Sequence, residues 1–434
     1  MLKEKILDKT AKIGVLGLGY VGLPLAVEVA KAGFHVIGFD VQAEKVAKIN
    51  RGENYISDVV IHDLEEIVQN KHLSASNDFD RLGECDVVAI CVPTPLDKYK
   101  HPDLRYVETS TKEVSKRLHK DMLVVLESTT YPGTTEEVMM PILEESGLKC
   151  GSDFYLAFSP ERVDPGNPTF KTKNTPKVVG AVGEDSLEIA KTLYEAFLDA
   201  KVFVVSSPKE AEMSKILENT FRIVNIGLIN EMLIVTNKMG INLWEVIDAA
   251  STKPFGFMPF YPGPGVGGHC IPIDPFYLTH IARRYDYHTR IIELAGEIND
   301  AMPEYVVERL MKELNKKKKC LNGAKIVLLG IAYKNDIDDM RESPALKVLE
   351  HLEKAGAVVE VVDPYVPEFE WDGEQKKTVA LTKELIQNAD AVVITTGHKK
   401  NVDYKMVCEN GEIVFDTKNS LKDLDVDREN IILL

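Results

Sequence analysis

The stretch Tyr261–Tyr277 concentrates the residues best suited to chemistry in this 434-residue chain. Pro262, Gly263, Pro264, Gly265, Gly267 and Gly268 lead to a single cysteine, Cys270, with the carboxylate of Asp274 four residues on. Proline lacks a donor N–H and glycine loses most entropy on ordering, so no helix or strand interior would use this composition. The stretch reads as a loop of special backbone angles and close approaches, the kind of segment that carries function. Cys270 is its one strong nucleophile. A lone cysteine is more often an inert buried side chain. Here the other parts of an aldehyde-oxidising site are also present. Lys215, Asn219 and Arg222 are spaced i, i+4, i+7, which places them on one face of a helix. A charge, an amide and a second charge along one stripe make an edge for an anion and a sugar. The competing reading, a solvated charged face, is weakened by Asn219, which adds no charge in an otherwise apolar stretch.

These groups need elements to hold them, and the first is a nucleotide fold. Lys12 to Leu16 is a short strand-like run leading into Gly17-Leu18-Gly19-Tyr20-Val21-Gly22, followed by a helix from Val21 to Ala32 with Gly33 as its stop. A second strand, His35 to Phe39, ends in Asp40. Gly17 permits the tight turn, Gly19 the close approach of a pyrophosphate and Gly22 the packing of helix on strand, while the helix N-terminus favours phosphate. Asp40, 18 residues past Gly22, can hold both hydroxyls of an adenosine ribose and repels a 2′-phosphate, so NAD is expected over NADP. Asp86 to Val92, Met122 to Leu126 and Phe154 to Phe158 read as further strands, whose following loops carry Thr94, Thr129 and Glu161. Ligands of doubly wound sheets bind beyond the strands' carboxyl ends, which places these three on the nicotinamide side. Thr94 and Thr129 are equally suited to cap helices.

Lys177 to Val182 and Lys201 to Val205 look like further strands. Lys209 to Met239 reads as one long helix, capped by Ser206 or Ser207 and stopped by Gly240, and Ile241 to Phe260 then feeds the cysteine loop. Its Met, Ile, Leu and Val content also suits a dimer interface. The last third repeats the opening pattern without the glycine signature. It reads as a helix from Glu297 to Leu314, a lysine run to Cys320 suited to a solvated linker, a strand from Ala324 to Leu329 and the turn Gly330-Ile331-Ala332-Tyr333-Lys334. A helix from Ser343 to Lys354, a strand from Val358 to Val362 ending in Asp363, and strands Ala391 to Thr395 and Glu412 to Phe415 follow. The expected fold is therefore α/β: two Rossmann-like doubly wound domains joined by a long central helix and a small helical domain. The expected boundaries are 1–206, 207–300 and 301–434. Lys334 and Lys418 are candidate diphosphate partners, although a lysine is a surface residue by default.

The net charge of −16 argues against nonspecific binding to nucleic acid or an anionic membrane. The six cysteines form no C-x-x-C pair, so neither a disulfide frame nor a zinc site is expected, and no metal is called for. The short charged N-terminus has no apolar core of a signal peptide and no run is long enough to cross a bilayer, which together predict a cytoplasmic location.

Gly17–Gly22, Ser159-Pro160-Glu161, Lys215 with Asn219, Gly267-Gly268-His269-Cys270 with Asp274, and Tyr333-Lys334 through Asp339-Met340-Arg341-Glu342-Ser343 together resemble the UDP-glucose/GDP-mannose dehydrogenase family, in order and over nearly the whole chain. The words Ser251–Phe257 and Pro262–Gly265 are most similar to its UDP-N-acetylglucosamine 6-dehydrogenases, with the UDP-N-acetylmannosamine enzymes next. Ile273, where UDP-glucose enzymes have lysine, and Pro165, where they have a second glutamate, depart from the UDP-glucose pattern.

The resemblance implies an NAD-dependent oxidation of a sugar C6 alcohol to the acid, with two hydride transfers. Cys270 is then the nucleophile, Lys215 and Asn219 the oxyanion donors, and Asp274 with Glu161 the groups that handle water, with Thr129 beside them. Arg162, Val163, Arg222, Lys253 and the loop at Gly263 and Gly265 would hold the sugar. Tyr333, Lys334 and Lys418 would hold the UDP end. Tyr20, Val21, Lys45 and Arg341 would join the cofactor contacts, Arg341 at a cofactor or subunit boundary. A homodimer through the central helix, or a higher assembly, is expected. Two rival classes stand beside this reading. A one-step alcohol dehydrogenase or epimerase on a nucleotide sugar would yield one NADH or none per product rather than two. An NAD-sensing regulatory protein would turn over nothing.

Overall fold

A computed structural model describes all residues except 57, 58, 98 and 165. Pro165, one of the departures noted above, thus lies outside the described residues. The chain divides into two compact units, Met1–Glu218 with Phe276–Tyr287, and Asn219–Pro275 with His288–Leu434.

The first unit is built on an eight-stranded sheet. Its strands are β1 (Lys12–Leu16), β2 (His35–Phe39), β3 (Leu73–Ser76), β4 (Val87–Ile90), β5 (Leu123–Leu126), β6 (Tyr155–Phe158), β7 (Lys177–Ala181) and β8 (Val202–Val204), in the order β3-β2-β1-β4-β5-β6-β7-β8. Pairing is parallel from β3 through to β6, then antiparallel from β6 to β7. Every residue of β4 and β5 is buried, which suits their unbroken Val, Leu, Ile and Ala runs. The sequence order reverses at β1 and β4, which opens the ligand crevice beyond their carboxyl ends.

The second unit carries a five-stranded parallel sheet of β9 (Lys325–Leu329), β10 (Val358–Val362), β13 (Ala391–Ile394), β14 (Val414–Asp416) and β15 (Ile431–Leu433), in the order β10-β9-β13-β14-β15. A short hairpin, β11 (Glu368–Trp371) and β12 (Glu374–Lys377), stands apart. This sheet repeats the opening of the first. Gly330 turns at φ +91° after β9 as Gly17 turns at φ +94° after β1. Asp363 follows β10 as Asp40 follows β2, but its surroundings differ. Asp363 accepts the backbone N–H of Ile331 and Ala332 on one oxygen, those of Tyr365 and Val366 on the other, and faces His398 Nε2 at 3.1 Å. A carboxylate so fully engaged is closed to a ribose, which is why this half cannot repeat the first half's nucleotide contact.

The long helix is continuous from Pro208 to Met239 and stops at Gly240, φ +71°. Ser207 Oγ accepts from Lys209 N at 3.2 Å, as a cap does. Three expectations need correction. The helix read from Glu297 begins at Arg290 and runs to Lys316 with Pro303 inside it. The segment ahead of Glu297 packs closely on the long helix, where a Cβ on Gly227 would lie 3.0 Å from Ala295 Cβ. The lysine run expected as a linker therefore begins within this helix. The cysteine stretch is a loop only to Ile273, since Asp274–Ala282 is helical and Pro275 sits where a missing N–H costs nothing. The strands β3, β11, β12 and β15 were not expected, being short and largely polar or terminal.

Candidate active site

In the first unit the glycine turn has the form its spacing predicts. A Cβ on Gly22 would sit 1.8 Å from Gly17 O, so only glycine lets the helix Gly22–Lys31 start against the turn. Gly19 has open space beside it, and Tyr20 and Val21 complete the turn. Asp40 is buried, with its oxygens fixed by Leu18 N at 3.1 Å and Gln42 N at 2.9 Å, and Lys45 Nζ stands 4.0 Å away. Thr94 is buried and its carbonyl accepts from Tyr277 Oη. At the end of β5, Thr129 is partly exposed. Its neighbour Thr130 is fully buried and its hydroxyl has no protein partner. An orphaned hydroxyl at this edge fits a bound dinucleotide, so the residues present suit NAD. Thr130 stood next to Thr129 in the sequence, and nothing there separated the two.

Glu161 follows β6. Its Oε1 accepts the N–H of Arg162 at 2.6 Å and of Val163 at 2.7 Å, and its Oε2 lies 3.6 Å from Lys177 Nζ. Burial pushes this carboxyl up, but the charge of Lys177, the two N–H donors and the charge of Lys215 together hold it below its ordinary value. The Arg162 guanidinium is engaged by Glu218 at 2.7 Å and by the Pro176 carbonyl at 3.0 Å. Near the start of the long helix the buried Glu212 accepts from Gly133 N, Thr135 N and Thr135 Oγ1, anchoring the loop after β5. Burial pushes Glu212 up to about 7 against the pull of those donors. Lys215 is buried, one turn further along.

In the second unit Asn219 is buried and donates to Asp274 Oδ2 at 2.6 Å. Asp274 N in turn bonds Cys270 O at 2.8 Å, and Ile273 N bonds the same carbonyl at 3.2 Å. Cys270 is partly buried and stands just ahead of a helix N-terminus, whose dipole favours negative charge. Arg222, expected on the same stripe as Lys215 and Asn219, is exposed, so only part of the stripe is buried. Lys253 is exposed, with Nζ 5.1 Å from the Phe255 ring centroid.

The glycine loop before Cys270 is held by a buried amide pair. Gly263 N donates to Asn230 Oδ1 at 3.1 Å, Asn230 donates to Asn299 Oδ1 at 2.8 Å, and Asn299 donates to Ile223 O at 3.1 Å. Neither asparagine was singled out from the sequence, although each shows the signal that marked Asn219, an uncharged polar residue within a helix. A Cβ on Gly263 would come within 2.8 Å of Lys418 Nζ, so the absence of a side chain admits the lysine. Burial pushes Lys418 down to about 8, partly offset by Asp416. Gly265 turns at φ +129° against Pro344 and Asn299. Tyr333 packs on Gly267 and Gly268, with Lys334 next to it half-buried. Gly268 N donates to Arg341 O at 3.0 Å, and the Arg341 guanidinium grips Asp339 through both carboxylate oxygens.

A dinucleotide cradle in one unit, and a second nucleotide fold with a cysteine-bearing glycine loop in the other, are the parts of an NAD-dependent dehydrogenase of nucleotide sugars. Three family models match the chain: the NAD binding domain of the UDP-glucose/GDP-mannose dehydrogenase family over 11–198, its central domain over 209–301 and its UDP binding domain over 327–423. The chain belongs to the UDP-glucose/GDP-mannose dehydrogenase family. It is 40% identical to a UDP-N-acetyl-D-glucosamine 6-dehydrogenase of Pseudomonas aeruginosa over 359 residues, 82% of this chain and 84% of that one. An enzyme of the same name from Salmonella typhi is 35% identical, with 90% of each chain covered. The solved structure of a UDP-D-ManNAc dehydrogenase from Pyrococcus horikoshii superposes with a TM-score of 0.88 at 36% identity, covering 97% of this chain and 98% of that one. Among the described residues no helix is long and apolar enough to cross a membrane.

The cofactor preference has a direct test. With Asp40 fixed to present its carboxylate, kcat/KM for NAD should exceed that for NADP by about two orders of magnitude, and Asp40→Ser should narrow the gap. Equal turnover with NADP in the native enzyme would remove Asp40 from this role.

Proposed function

We propose that the enzyme oxidises the C6 alcohol of a UDP-N-acetylhexosamine, UDP-N-acetylglucosamine foremost, to the uronate in two steps at Cys270. The observation that carries the chemistry is the linked set in which Asn219 donates to Asp274 and Asp274 N bonds the Cys270 carbonyl, tying amide, carboxylate and nucleophile together. NAD held at the Gly17–Gly22 turn would supply the hydride acceptor, one NAD for each of the two oxidations. Lys215 and Asn219 stabilise the C6 oxygen as it gains negative charge. Cys270 adds to the aldehyde to give a thiohemiacetal, whose oxidation leaves a thioester on sulfur. Asp274, with Glu161, positions and deprotonates the water that releases the acid and returns the thiol.

For substrate holding we assign Arg162, Val163, Arg222, Lys253 and the Gly263–Gly265 backbone to the sugar, and Tyr333, Lys334 and Lys418 to the UDP end. Thr94, Thr129, Tyr20, Val21, Lys45 and Arg341 go to the cofactor side. The division into 1–206, 207–300 and 301–434 is the division of labour this assigns. A homodimer through the central helix is part of the same reading. Phe221, Leu228, Met232, Val235 and Met239 are exposed at heptad-like spacing along it, and sedimentation of the native protein as a monomer would remove that part.

The substrate reading rests on the relatives' names and on buried Ile273, which stands next to Asp274 where UDP-glucose enzymes carry lysine. Initial rates of NADH production on UDP-N-acetylglucosamine, UDP-N-acetylmannosamine and UDP-glucose test it. The expected order of kcat/KM places UDP-N-acetylglucosamine first, with two NADH per sugar. A higher value on UDP-N-acetylmannosamine, the substrate in the name of the Pyrococcus relative, would reassign the substrate while keeping the mechanism.

A further inference from the structure

Beneath Glu161 the first unit buries a chain of polar side chains from three further elements. Tyr194, on the helix Glu184–Glu195, donates to Glu127 Oε1, and Glu127 follows the last residue of β5. Lys177, the first residue of β7, donates to Glu127 Oε2 at 2.5 Å and lies 3.6 Å from Glu161 Oε2. Glu127 is 1% exposed, Lys177 6% and Tyr194 1%. Buried ion pairs are weak sources of stability, because desolvation cancels most of the attraction and well-packed apolar residues serve as well. A fixed ammonium held between two carboxylates, one of them in the water-handling role assigned above, calls for a different explanation.

We propose that Lys177, braced by Glu127 and Tyr194, is a positioning residue that keeps Glu161 ionised and aimed at the carboxyl end of β6. The inference rests on the proposed role of Glu161. Both N–H donors of its own loop occupy Oε1, which leaves Oε2 to Lys177. The charged and titratable groups bearing on Glu161 are Lys177 from β7, Lys215 from the long helix, Glu127 after β5 and Cys91 after β4. Arg162 spends its guanidinium on Glu218. Lys177 is the nearest cation, and it offsets a burial that otherwise pushes Glu161 up. Glu127 shares Lys177 rather than competing for it, since Tyr194 satisfies its other oxygen. Without the ammonium, Glu161 would bind a proton at higher pH and lose its capacity to accept one from water.

The test is the pH dependence of kcat for NADH production on UDP-N-acetylglucosamine by the intact enzyme. In Lys177→Met the acid limb should move upward by about one unit or more, with activity recovering toward the native value at high pH. Lys177→Arg should restore the native limb. The double variant Glu127→Gln, Lys177→Met removes the unpaired buried Glu127 charge and should show the same shift if the single variant folds poorly. A Lys177→Met or double-variant profile with an unshifted acid limb, including one merely lowered at every pH, overturns the inference. Glu161→Gln separates the two layers. Impaired turnover in that variant with an unshifted Lys177→Met limb leaves the role of Glu161 intact and sinks only the positioning role. Native turnover in Glu161→Gln overturns the role of Glu161 and this inference with it.

Discussion

Cys270→Ser enzyme given UDP-N-acetylglucosamine and NAD should form almost no acid, a loss on the order of a thousandfold or more. Serine keeps the shape of the side chain but is a poor nucleophile at neutral pH, and its ester is a worse acyl donor to water than a thioester. The first oxidation asks nothing of the sulfur, so slow aldehyde formation, or one stalled covalent adduct per subunit visible by mass spectrometry, should remain. Asp274→Asn in the native-cysteine background acts later. It keeps the contact with Asn219 close to its native 2.6 Å geometry but removes the group that activates water, so thioester should accumulate. A Cys270→Ser enzyme that still releases two NADH per sugar at the native rate would show the loop to be structural and the covalent route wrong.

Lys215→Ala should lower kcat by about a hundredfold or more, the usual cost of losing one donor to a developing oxyanion. Lys215 is 7% exposed, and an ammonium held out of water acts on a nearby oxyanion with little screening. Arg222→Ala offers the contrast. Arg222 is exposed, and a residue that only holds substrate raises KM more than it lowers kcat. Steady-state kinetics of both variants check the pair. If both changes leave kcat and KM intact, the stripe is a solvated helix face. Lys215→Met, which keeps the aliphatic bulk, separates a lost charge from a collapsed cavity.

Features written over a few adjacent residues were legible in the chain itself. The glycine turn and Asp40 could be read because turn chemistry and a strand-to-helix change of period are local signals. The long helix could be bounded at Lys209 and Met239, against Pro208 and Met239 in the structure, because serine and glycine mark its ends. The cysteine loop stood out by composition alone. The same logic started the helix at Glu297 instead of Arg290, because the packing of its first turns, such as Ala295 on Gly227, is a tertiary contact with no local signal.

What the tertiary structure decided are the pairings that depend on sheet order. Glu127 and Lys177 lie 50 residues apart, and they meet because β7 runs antiparallel to β6 and β6 parallel to β5, so the first residue of β7 lies at the end of the sheet where β5 stops. Asn230 and Asn299, 69 residues apart, meet because two long helices cross closely. Asp40 and Asp363 occupy equivalent places after equivalent strands, and sequence treats them alike. Four backbone N–H groups and His398 close the second, while the first takes, among the described residues, only the N–H groups of Leu18 and Gln42, because a carboxylate's availability depends on how many donors reach it in space.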